Sequence, residues 1–328
     1  MKKWLLVVVL LICACKAGSV YTDEEIEVLK QQDAYEEAMD HCENTDSVKV
    51  MIKANAIEKS HVSSYCGLLI KKSEGVNELL DANLSLKEVQ EYLDLSNFHG
   101  DKVSRYLAYE ADNIPDKVMA VNMNLDLEPY STTNVIEDDS DLTLLVNKYY
   151  ALPEGYVPDD LVDVNYVCEQ GKHFSCSTMQ RMQLRKEAAK AYESFVEAAQ
   201  KENITIVAIA TYRSYEYQAS LYNYNKDIYG MEYADAYYAR PGQSEHNSGL
   251  AVDITFNDHN YNEIENYEGY DWILKNMHQY GFILRYPEDK QKITQYGYES
   301  WHIRYVGKEA AKTIYENHWT LEEYYGAK

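Results

Sequence analysis

Ser244-Glu245-His246-Asn247-Ser248-Gly249-Leu250-Ala251-Val252-Asp253, answered further along by Glu299-Ser300-Trp301-His302, is the stretch whose reading decides this chain. Two histidines, an aspartate and a separate glutamate are the parts of a hydrolytic metal site. Histidine and aspartate are ordinary zinc ligands, and three protein ligands leave the ion one open position for water. Coordination lowers the pKa of that water toward neutrality, and a nearby carboxylate that does not bind the metal can take its proton. His246 and Asp253 are not helix neighbours, because Gly249 and the run from Leu250 to Phe256 read as a loop entering a strand. His246 is therefore expected to reach a metal from the loop and Asp253 from the strand. The chain has nine histidines, and a lone one is usually structural, so the ordered set carries the reading.

The pattern S-x-H-x-x-G-x-A-x-D followed by E-x-W-H resembles the zinc D-alanyl-D-alanine carboxypeptidases of the VanY type, within the wider LAS peptidase group. Tyr212-Arg213-Ser214-Tyr215-Glu216-Tyr217-Gln218 is similar to that family's Y-R-S…Q segment, in the same order along the chain. The resemblance runs from about Leu142 to about Tyr315 and says little about the residues before it. It implies one zinc ion per chain, held by His246, Asp253 and His302, with Glu299 activating the water. It implies that Gln218 and Ser244 hydrogen-bond the substrate backbone or carboxylate. The substrate it implies is a peptidoglycan stem peptide, trimmed at its C-terminal residue. An L,D-carboxypeptidase and a murein endopeptidase are the close alternatives. A wall-binding protein with a dead peptidase domain is the alternative from another class, opposed by the intact ligands and glutamate.

A carboxypeptidase must recognise a terminal carboxylate, and a planar guanidinium does so with two parallel charge-assisted hydrogen bonds. Arg213 follows Ile204 to Thr211, a β-branched and apolar run that reads as a strand able to hold it near the site. The plainer reading of Arg213 pairs it with an acidic neighbour.

With 328 residues the chain is long enough for two domains, or for one domain with a substantial appendage. A net charge of −23 argues against a nucleic-acid partner, since phosphate binding needs basic patches. Met1-Lys2-Lys3 before the apolar run Trp4 to Ile12 reads as a signal peptide, too short to span a bilayer as a mature helix. Ile12-Cys13-Ala14-Cys15 resembles a bacterial lipobox with Cys15 as the lipidated residue. Cys13 at its middle position is unusual and leaves ordinary cleavage open. Either route predicts export, and the lipobox predicts a membrane-anchored lipoprotein facing the cell wall. An exported chain can hold disulfides, so Cys168 is expected to pair with Cys176, and Cys42 with Cys66.

Three regions are expected: a leader over 1–18, an acidic helical region over 19–140, and a zinc carboxypeptidase domain over 141–328. The middle region holds 26 acidic against 10 basic residues. Thr22-Asp23-Glu24-Glu25 and Ser85-Leu86-Lys87-Glu88 read as capping boxes, and Val89, Tyr92 and Leu93 as an apolar stripe. His41, His61 and His99 have no evident partners in the sequence. The acidic stretch Glu137 to Asp141 marks the expected boundary. Beyond it, Ser177 is expected to cap a helix reaching about Glu202, with Leu184, Ala188, Ala191, Phe195 and Ala199 on one face. Further helices are expected over 215–229, 231–239 and 270–280, and strands over 282–286 and 301–306. Helices and strands mix without regular alternation, which predicts an α+β fold with a small antiparallel sheet. Glu299 and His302, three apart, would point to opposite faces of a regular strand. The expectation is that the strand starts only at Trp301, with Trp301 packing beneath the site.

Overall fold

The computed structural model describes residues 20–40, 42–170, 176 and 181–328. The leader with Cys15, together with His41 and Ser177, lies outside those residues. The chain divides into two compact units, the first ending at Lys117 and the second running from Val118 to Lys328.

The first unit is built of short helices. Asp23–Gln31 and Leu86–Asp94 both begin with the expected capping box, on Thr22 with Glu25 and on Ser85 with Glu88. Each box satisfies two backbone N–H groups, one of them a donor that the first helical turn would otherwise leave orphaned. Val89 and Tyr92 are buried, while Leu93 is only partly so. Cys42 and Cys66 are joined by a disulfide. His61 does have partners, contrary to expectation: its Nε2 lies 2.9 Å from Asp81 Oδ1 and 3.6 Å from Glu58 Oε2. Asp81 is distant in sequence and reaches His61 only through tertiary packing. Among the described residues, no helix is long and apolar enough to cross a membrane.

In the second unit, β1 (Asn134–Val135) pairs in parallel with β2 (Tyr150–Ala151). β3 (Leu161–Asp163) and β4 (Gln183–Arg185) form an antiparallel pair. The main sheet holds β5 (Ile206–Ala210), β6 (Ala251–Phe256), β7 (Phe282–Tyr286) and β8 (Glu299–Tyr305), all antiparallel, in the order β5-β6-β8-β7. This is the expected α+β architecture. The helix Lys186–Gln200 puts Ala188, Tyr192, Phe195 and Ala199 into a core shared with Ile206, Val252, Phe256 and Ile303.

Two expectations need correction. The long helix begins at Lys186, not near Ser177, because residues 183–185 are strand. Their amides are taken elsewhere: Gln183 N–H donates to Thr211 Oγ1 at 2.9 Å and Arg185 N–H to Gly249 O at 2.9 Å. The unit boundary falls before Val118 rather than near residue 140. Residues 118–140 belong with the second unit because they pack and pair within it. Asn122 Nδ2 donates to Gly326 O at 3.2 Å, Tyr149 donates its hydroxyl to Leu127 O at 2.8 Å, and β1 pairs with β2.

Candidate active site

β6 and β8 are neighbours, and their register sets Asp253 directly opposite His302. Opposed residues of an antiparallel pair project from the same face a few ångströms apart. Two of the expected ligands therefore meet because two strands pair. Glu299 joins them by a different device. The strand does not wait until Trp301; β8 begins at Glu299 itself. Leu284 pairs with Ile303 while Tyr286 pairs with Glu299, so β8 has two more residues than β7 over that interval. Such a bulge breaks the alternation and re-aims a side chain. Glu299 Oε2 ends 3.4 Å from His302 Nδ1.

His246 arrives on a short 3-10 turn, Glu245–Ser248, closed by Gly249 at φ 69°. Glycine suits that left-handed backbone, and a Cβ there would meet Leu161 Cδ2 at 2.9 Å. His246 Nδ1 lies 2.7 Å from Thr211 O, which can only accept, so Nδ1 carries the proton. Nε2 is left facing Asp253 Oδ2 at 3.2 Å. The turn is tied to Arg213, whose N–H donates to His246 O at 3.1 Å while Asn247 Nδ2 donates to Arg213 O at 2.7 Å.

One donor atom from each of His246, Asp253 and His302 lies within 4.8 Å of the others, and all three side chains are buried. Asp253 Oδ1 is 3.1 Å from His302 Nδ1 yet accepts no hydrogen bond. Tetrahedral zinc with bonds of ~2.0–2.1 Å sets its ligand atoms about 3.3 Å apart, close to the 3.1 and 3.2 Å seen here. The donor set fits a zinc ion. Burial, with help from Arg213, lowers His246 to about 4, so it is a neutral donor at pH 7. Burial opposes charge on His302 as well, but Asp253 and Glu245 outweigh it and raise the imidazole to about 9. A metal ion held at Nδ1 would take the place of that proton. For Glu299, burial pushes the carboxyl up to about 7, with Asp253 adding to the rise and His302 opposing it.

All seven expected site residues line one cleft of about 490 Å³. Arg213 donates from its terminal Nη2 to Asp253 Oδ2 at 3.0 Å, so the plainer pairing with an acidic neighbour is present. That bond uses one of five guanidinium donors. Gln218 donates to Ala239 O at 2.8 Å, and its buried Oε1 has no partner. Trp301 packs against the core as expected, and it also lines the cleft, with Tyr261 edge-on at 5.2 Å. The Cys168–Cys176 disulfide is formed. It packs with Ile209 and Met182, which line the same cleft.

Sequence reasoning missed the floor of the site. Glu245, inside the quoted motif, is buried and takes 2.7 Å hydrogen bonds from Arg285 Nε and Arg304 Nη1 on the same oxygen, Oε1. Arg285 also grips Glu322 with two bonds of 2.9 and 2.6 Å. Burial opposes the charge of Glu245, but the two arginines hold its carboxyl below the usual carboxylate range. The available signal was an arginine inside each of two strands, one in the otherwise apolar Phe282–Tyr286 and one between Ile303 and Tyr305 of Glu299–Tyr305. A charge at such a position demands a buried partner.

A family model described as D-alanyl-D-alanine carboxypeptidase, VanY, matches residues 181–308. YodJ of Bacillus subtilis (strain 168) is 40% identical over 206 residues, which cover 61% of this chain and 72% of that protein. The bifunctional D-Ala-D-Ala dipeptidase and carboxypeptidase VanXYC of Enterococcus gallinarum is 39% identical over 147 residues, covering 43% of this chain and 77% of that one. Among solved structures, the LdcB LD-carboxypeptidase superposes with a TM-score of 0.54 at 38% identity, over 61% of this chain and 96% of that one. The chain belongs to the VanY family of D-alanyl-D-alanine carboxypeptidases.

Proposed function

We propose that this protein is an exported carboxypeptidase that removes the C-terminal D-alanine from peptidoglycan stem pentapeptides, anchored to the membrane through a lipid on Cys15. The observation that carries the reading is the meeting of a three-donor metal set, a carboxylate outside that set and a guanidinium in one cleft. His246 Nε2, Asp253 and His302 Nδ1 would hold the zinc ion, which when bound supplies an acidified water and polarises the scissile carbonyl. Glu299 takes the proton of the attacking water and returns it to the leaving amine. Arg213 binds the substrate's terminal carboxylate, and Gln218 Oε1 accepts from the peptide N–H. Ser244, on the cleft wall at the entry to the metal-binding turn, adds a hydroxyl toward the substrate backbone. Charge on the last residue then selects chain ends over internal bonds. The leader Met1 to Cys15 supports export and anchoring.

A second reading has its own support. The likeness to the LD-carboxypeptidase structure favours removal of the fourth residue from tetrapeptides. Incubating the purified protein with penta- and tetrapeptide stems, with and without a chelator, and weighing the products by mass spectrometry separates the two. Chelator-sensitive loss of one residue from the pentapeptide alone is expected. Cleavage of the tetrapeptide alone transfers the assignment to the L,D class.

A further inference from the structure

Beneath the three donor residues lies a quartet of buried charges that the reaction does not touch. Glu245, Arg285, Arg304 and Glu322 are each no more than 1% exposed, two of each sign. Arg285 and Arg304 both bind Glu245 Oε1, and Arg285 also holds Glu322. Arg304 spends its other donors on the carbonyls of Leu142, Leu144 and Tyr305. One oxygen of the quartet faces outward: Glu245 Oε2 lies 3.4 Å from His302 Nε2. The opposite nitrogen of that ring, Nδ1, is the one facing Asp253 and Glu299. The Tyr286 ring packs against the imidazole with centroids 5.0 Å apart.

We propose that Glu245 is a positioning residue for the metal centre: clamped by Arg285 and Arg304, it accepts the Nε2–H of His302 and so presents Nδ1 as the donor. A carboxylate between two guanidiniums can only accept, which puts the ring proton on Nε2. Metal-ligating histidines generally donate their other N–H to such a partner, and losing it weakens metal binding by about 10–100-fold. The paired arginines keep the carboxylate from swinging, so the ring cannot turn over without leaving a buried acceptor empty. This inference rests on His302 binding the metal as proposed above.

The test is a zinc affinity measured by competition with a chromogenic chelator, on wild type, Glu245→Gln and Glu322→Gln. Both variants remove one charge from the same buried quartet, but only the first alters the partner of His302. Wild type binds tightly, Glu245→Gln loses roughly 10–100-fold, and Glu322→Gln stays near wild type. Equal affinity in Glu245→Gln and wild type overturns the inference, as does an equal loss in both variants. Absence of zinc binding by wild type instead defeats the metal assignment itself. Removing one partner of a buried pair is strongly destabilising, so a measurement on wild type covers the case where Glu245→Gln fails to fold. Imidazole nitrogen NMR of the zinc-loaded protein reads which ring atom of His302 carries the proton. Nε2–H is expected, and Nδ1–H overturns the proposal.

Discussion

Arg213 stands between two carboxylates, one present and one expected. Its Nη2 already donates to Asp253, which leaves other guanidinium donors for a substrate carboxylate. A hydrogen bond to a charged group contributes about 1.5–3 kcal/mol. Arg213→Lys should therefore lower kcat/KM for a free-acid stem pentapeptide by roughly 10–100-fold, and far less for the same peptide amidated at its C-terminus. Because Arg213 touches Asp253, zinc content must be followed in the variant. A drop in turnover at full zinc occupancy belongs to carboxylate recognition. Equal cleavage of acid and amide by the wild-type enzyme removes Arg213 from that role and favours an endopeptidase. At this scale the residue types in the motif pointed to His246, Asp253, His302 and Glu299, and the fold brings those four side chains together. Glu245 could not be distinguished from an ordinary surface carboxylate, because its two arginine partners lie 40 and 59 residues away in the chain.

Elements hold these residues through register. The cross-strand pairing of Asp253 with His302 follows from the order of β6 and β8, and the bulge in β8 brings Glu299 to their side. The strands themselves were legible as β-branched and apolar runs. The bulge was not, because nothing local in Glu299-Ser300-Trp301-His302 says how many residues the facing strand supplies. The helix start was misread for a similar reason: Leu184 fits a helical stripe and a strand equally well, and pairing between β3 and β4 decides it. The Cys168–Cys176 link was readable from the expected export and the spacing together. It joins residues eight apart in sequence and should stabilise the second unit by roughly 2–3 kcal/mol on a chain-entropy account. Cys168→Ser with Cys176→Ser should lower the denaturation midpoint accordingly. An unchanged midpoint would mean the link adds nothing to stability.

At the scale of the whole molecule, the second unit carries every residue of the site, and it starts at Val118. Val118, Val121 and Met123 are buried. Full burial of an apolar side chain of this size contributes about 1.5–3 kcal/mol. A fragment of residues 118–328 should fold and cleave soluble stem peptides at close to the full-length rate. A fragment of residues 141–328, cut at the acidic stretch, should melt at least ~5 °C lower. Equal melting temperatures would show that residues 118–140 are dispensable. Composition placed that boundary too late because acidity continues past the last residue of the first unit. The central claim is that His246, Asp253 and His302 hold one zinc ion and that Glu299 moves the proton. Its most direct test is the zinc content per chain, measured alongside stem-peptide turnover, for wild type, Glu299→Gln and His302→Ala. The account predicts about one zinc in wild type and in Glu299→Gln, turnover in the latter reduced by roughly two to four orders of magnitude, and loss of both metal and turnover in His302→Ala. Full zinc occupancy in His302→Ala, or near-normal turnover by Glu299→Gln, would contradict it.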